Sequence, residues 1–122
     1  MELVVVVDCS DLDRSATFWC GVLGYRAEPN SSGRYRSLTP LDGPGPEVLL
    51  QRVAESKVAK NRVHLDLRVP DFAAETARVV APGARRITDD PVREDGWTWH
   101  VLADPDGNEF CVLQPPGRAP QS

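Results

Sequence analysis

The chain has 122 residues, 41% hydrophobic content and a formal net charge of −4, a size and balance that fit one domain with a core of its own. Basic residues are scattered apart from KVAKNR at 57–62, which argues against a nucleic-acid partner, whose phosphates call for a continuous basic track. The apolar run Leu3–Val7 is too short to span a bilayer, no signal-peptide pattern opens the chain, and Cys9, Cys20 and Cys111 lack CxxC spacing, so a cytoplasmic protein with reduced thiols and no membrane partner is expected.

In chain order, ELVVVV is a β-branched run read as a strand, with 2–8 as its extent. The period then changes. Ser10 or Asp11 can cap a helix whose apolar positions Leu12, Ala16, Trp19 and Leu23 recur at steps near four, and Gly24 is placed to stop it. YRAEP, RYRSLT and EVLLQRV follow as three short strands, separated by NSSG and the breaker-rich PLDGPGP.

The same order then returns. NRVHLDLRV (61–69) alternates as a strand, Asp71 can cap DFAAETARVV, PG ends that helix, and ARRIT, WTWHVLA and NEFCVLQ are three further strands. Asp11 and Asp71 differ by 60, and the pairs Leu12/Phe72, Ala16/Thr76 and Trp19/Val79 keep that offset, so the halves share a register although few residues are identical. The expected organisation is one α+β domain over 1–114, with a βαβββ module at 1–53, a linker at 54–60, a second module at 61–114, and a flexible proline-rich tail at 115–122.

Two such modules, with SDLDRSATFWCGVLGY early, NRVHLDLRV in the centre and DPDGNEFCVL at the close, resemble the vicinal oxygen chelate superfamily, which includes glyoxalases, bleomycin resistance proteins and dioxygenases. The resemblance spans nearly the whole chain. It implies two tandem modules that form an open, cupped, mixed β-sheet barrel, and in the family's enzymes a divalent metal held on the concave side. Its ligands come from a His in the first strand of each module, seven residues before the helix-leading Asp, and a Glu in each last strand, three after the Asn of DPDGN. Counted onto this chain, those positions are Val4, Gln51, His64 and Cys111. Only His64 matches. Three good N or anionic O ligands are the usual requirement of a catalytic divalent ion, so no metal is expected, a divalent cofactor remaining the minor alternative.

Strand alternation places Arg62, His64, Asp66 and Arg68 on one face with Glu109, Cys111 and Leu113, and in the first module Glu2, Val4, Val6 and Asp8 with Glu47, Leu49, Gln51 and Val53. An alignment pairing Glu47 with Glu109 instead shifts the register by two and leaves the same face inward. His64 and Asp66 lie two apart and are the candidate catalytic residues, as an acid/base pair; the alternative is a former ligand position now satisfied by a polar neighbour. Cys111 is read as a wall residue rather than a nucleophile. Trp97 and Trp99 share a face, either stacking on a planar ligand or packing beneath Phe72 and the second helix, with His100 on the opposite, exposed side. Tyr35 is a candidate partner across the barrel.

The expected ligand-binding set is therefore Gln51, His64, Asp66, Trp97, Trp99, Glu109 and Cys111. The function expected is a resistance- or sequestration-type binding protein for a small aromatic or amphiphilic molecule in the concave cavity. The alternatives are a lyase or isomerase of the same superfamily, using a divalent metal or the His64/Asp66 pair, and a regulatory domain with a filled interior. Because each module leaves sheet edges uncovered, and family members commonly dimerise, a homodimer is expected.

Overall fold

The computed structural model describes residues 2–29 and 33–117. The NSSG turn in large part, and the tail beyond Gly117, lie outside the described residues. The described residues form two compact units, one holding those up to Ala59 together with Pro105–Asn108, the other those from Lys60 to Asp104 and from Glu109 onward.

The first unit is a βαβββ module. β1 (Val4–Cys9) leads to α1 (Leu12–Leu23), followed by β2 (Tyr25–Ala27), β3 (Tyr35–Pro40) and β4 (Glu47–Arg52). Its sheet has the order β1-β4-β3-β2, with β1 parallel to β4 and the other neighbours antiparallel. The parallel pairing explains the topology, because two parallel neighbours need a crossover and α1 begins it. α1 starts where expected. Asp11 is extended (φ −138°) and its carboxylate accepts from the Arg14 N–H; Gly24 closes the helix in the left-handed region (φ 70°), which costs a residue without Cβ nothing. The apolar stripe Leu12, Ala16, Phe18, Trp19 and Val22 is buried together with Val7, Cys9, Leu38, Val48 and Leu50 from the sheet. Each large side chain so buried contributes roughly 1.5–3 kcal/mol. Phe18 and Trp19 meet edge to face at 5.2 Å.

The second unit repeats the plan with one addition. β5 (Leu65–Arg68), α2 (Phe72–Val80), β6 (Arg85–Arg86), β7 (Val92–Glu94), β8 (Trp97–Ala103) and β9 (Glu109–Gln114) form a sheet ordered β5-β9-β8-β6, with β7 also paired to β8. β5 is shorter than the 61–69 expected, because its pairing with β9 runs only from Leu65↔Phe110 to Arg68↔Leu113. Asp71 caps α2 as Asp11 caps α1, accepting from the Ala74 N–H. The Phe72 N–H, another donor with no partner inside the helix, is taken by the Gln114 side chain at 2.8 Å.

β7 is absent from the sequence reading. Its hairpin to β8 turns on Asp95 (φ 50°) and Gly96 (φ 84°), with Glu94 opposite Trp97. Two consecutive positive φ values define the mirror-image turn that suits the twist of paired strands and favours Asp-Gly. EDGW was thus a hairpin signal.

Pro105–Asn108 leaves the second unit's strands and belongs to the first unit. Asp106 Oδ1 accepts from the Ser10 N–H (2.9 Å), the Ser10 hydroxyl (2.7 Å) and Arg14 Nη2 (3.1 Å), while Asn108 Nδ2 donates to the Asp8 carbonyl at 2.8 Å. Among the described residues, no helix is long and apolar enough to cross a membrane.

Candidate functional site in the second unit

Three neighbouring strands build one face of the second sheet. Asp66 on β5 pairs with Cys111 on β9, which pairs with Val101 on β8; one step along, Arg68, Leu113 and Trp99 form the next row. Since alternate residues share a face, Glu109 and Trp97 complete it. The opposite face carries Leu65, Leu67, Phe110, Val112, His100 and Leu102. Phe110, Val112 and Leu102 are buried, and His100 stacks on Phe72 of α2 at 5.2 Å.

The first face opens into a cavity of about 380 Å³, lined by His64, Asp66, Trp97, Trp99, Glu109 and Cys111 together with Lys60, Glu94, Asp95, Val101 and Leu113. That volume falls in the range of small-molecule sites. Among the residues expected from sequence, these six line one cavity. Gln51 belongs to the first unit, where it lies on β4 opposite Asp8 and Tyr35. Lys60, placed in the linker by sequence, and the hairpin acids Glu94 and Asp95 are the polar residues that sequence reasoning missed.

His100 departs from expectation. It is 4% exposed rather than on an open side, and its Nδ1 lies 2.9 Å from the Thr88 hydroxyl. Burial, and next the Arg86 guanidinium, push its pKa below the usual 6.5. The ring beneath Phe72 is therefore this imidazole, and the two tryptophans face the cavity.

In the cavity lining, His64 Nδ1 lies 2.8 Å from Asp66 Oδ1, with both side chains 47% exposed. One ligand atom from each of His64, Asp66 and Cys111 lies within 4.8 Å of the others. The Cys111 thiol is pushed up to about 11, first by burial and then by the Asp66 carboxylate beside it, to which it is hydrogen-bonded. A thiol so raised is protonated at neutral pH and is a poor nucleophile. Lys60 Nζ pairs with Glu109 Oε1 at 2.9 Å.

The sheet registers also correct a site position. Asp66 pairs with Cys111, and sixty residues earlier Val6 pairs with Leu49, so the first-unit counterpart of Cys111 is Leu49 rather than Gln51. Val4 and Leu49 carry no donor atom. Of the four positions where the family's metal ligands stand, two offer nothing and a third offers a soft thiol sulfur. The oxygen- and nitrogen-preferring ions of such enzymes do not fit this donor set. A softer ion held by His64, Asp66 and Cys111 would have to displace the thiol proton and break the hydrogen bonds that Asp66 makes to its neighbours.

The family model of the glyoxalase-like domain matches residues 4–113. The chain belongs to the glyoxalase-like domain family. Solved structures similar to this glyoxalase-like chain include a glyoxalase/bleomycin resistance protein/dioxygenase family enzyme from Burkholderia phytofirmans PsJN, with 20% identity, coverage of 91% of this chain and 95% of that one, and a TM-score of 0.73. A glyoxalase/bleomycin resistance protein from Albidiferax ferrireducens T118 is 24% identical over 93% of this chain and 97% of its own, with a TM-score of 0.67. TioX from Micromonospora sp. ML1 is 20% identical over 93% and 98%, with a TM-score of 0.65. At these identities the likeness is one of fold. No curated protein matches the chain.

Proposed function

We propose that this glyoxalase-like protein is a metal-independent binder of a small aromatic or amphiphilic molecule, which occupies the cavity of the second unit. The carrying observation is that Trp97 and Trp99 line the same cavity as His64, Asp66 and Cys111. Apolar walls with a few convergent polar groups are the usual make-up of a ligand site, and the donor-poor ligand positions support a role without a catalytic metal.

Titration with planar aromatic probes, followed by tryptophan fluorescence, tests this. Quenching is expected, and Trp99→Leu should weaken binding by about 1 kcal/mol or more through lost stacking. Elemental analysis should find well under one divalent ion per chain. One tightly held ion, lost in His64→Ala, would overturn the metal-independent part of the reading.

The 2.8 Å His64–Asp66 contact favours a second reading, in which a carboxylate orients an imidazole that serves as general base on the bound molecule. Turnover that is lost in His64→Gln while the same compound still binds would move the protein to the enzymes.

A further inference from the structure

The charge carried by the cavity wall points to the class of molecule it takes, given the binding reading above. Asp66, Glu94, Asp95 and Glu109 bring four carboxylates to the wall, and Lys60 is the only Lys or Arg among the described lining residues. Lys60 and Glu109 are joined at 2.9 Å, so they largely offset each other. Arg68, over Trp97 on the same face, offsets one of the remaining three acids, so four carboxylates face two cations and an excess of two negative charges is left.

Two of these acids are placed by the backbone. The Asp95-Gly96 turn pairs Glu94 with Trp97 across the hairpin, and Glu94, Asp95 and Trp97 all line the cavity. That ring already attracts a cation from the chain itself: the Arg68 guanidinium carbon lies over Trp97, 5.1 Å from its centroid. A cation over an indole face, with carboxylates beside it, is stabilised by both the ring quadrupole and the anions.

We propose that the cavity selects an organic cation, an aromatic or amphiphilic ammonium whose charged end sits among Asp66, Glu94 and Asp95 while its apolar body lies against Trp97 and Trp99. Arg68 then competes with the ligand for the Trp97 face. A carboxylate ligand of the same shape would meet the excess of like charge.

Isothermal titration of the full chain with 2-(2-naphthyl)ethylammonium, the alcohol of the same skeleton and the matching carboxylate tests the proposal. The ammonium is expected to bind about tenfold or more tightly than the alcohol, and the carboxylate weakest, with the preference shrinking at high salt. The double variant Glu94→Gln, Asp95→Asn should lose most of that preference, the ratio of ammonium to alcohol affinity being the readout, and Asn tolerates the positive φ of residue 95. Arg68→Gln should tighten the ammonium several-fold. If the alcohol binds as well as the ammonium, or the carboxylate binds best, the charge inference falls while the binding reading stands. If none of the three binds, the binding reading falls and the inference with it. One zinc ion bound per chain, abolished in Cys111→Ser, would assign the acidic lining to a metal and overturn the organic cation.

Discussion

Cys111 and His100 show how a single side chain takes its chemistry from the face it occupies. Cys111 is 7% exposed and its thiol is pushed up to about 11 by burial and Asp66, so it should resist iodoacetamide at pH 7.5 in the folded protein. Asp66→Asn removes a neighbouring anion and should speed its alkylation, read by mass spectrometry of the Cys111 peptide; an unchanged rate would remove Asp66 as a cause of the shift. His100 works in the opposite direction. Its folded-state pKa is depressed, chiefly by burial, so below about pH 6.5 the unfolded chain takes up a proton that the folded chain resists. Its contribution is complete above that pH and is lost as pH falls below it. The urea midpoint should therefore drop more between pH 7 and 5 in the wild type than in His100→Gln. Equal slopes would show that the ring stays accessible to protons.

At the level of elements, the two helices begin in the same way because Asp11 and Asp71 satisfy the same kind of unpaired N–H. Asp71→Ala should cost about 1 kcal/mol in denaturant unfolding. Asp106 holds more, since its Oδ1 accepts from Ser10 twice and from Arg14. Asp106→Ala should cost about 2 kcal/mol, as expected for hydrogen bonds to a charged group, and Asp106→Asn should recover part of it. Both caps and both apolar stripes were readable in sequence, because helix periodicity and capping are local. β7 was readable too, through Asp95-Gly96, but a three-residue strand offers too little alternation to stand out. The length of β5 was not, because pairing with β9 sets where it begins.

For the whole molecule, the expectation of two βαβββ modules agrees with two units whose sheets share the same strand plan, and the glyoxalase-like family match covers both. Within its own sheet each unit has terminal strands, β1 and β2 in one and β5 with β6 and β7 in the other. Val4, Val6 and Tyr35 are exposed on the first unit's sheet. Such edges and apolar side chains favour a second copy as cover, so sedimentation at micromolar concentration should give twice the 13.4 kDa chain mass. A species at the mass of one chain would refute the dimer.

What the sequence determined by itself was whatever repeats over short distances: the βαβ order, the helix caps, the alternation that puts His64 beside Asp66, and the offset of 60 between the caps. What only the tertiary structure decided depends on pairing between distant segments. Register across β5, β9 and β8 joined Asp66 to Cys111 and Trp99 to Leu113, assigned Leu49 rather than Gln51 as the counterpart of Cys111, and turned His100 under Phe72. Alternation along a strand says which residues share a face, but it carries no information on which face the helix covers or how far a partner strand has slid, since those depend on apolar burial and hydrogen bonding between strands far apart in the chain.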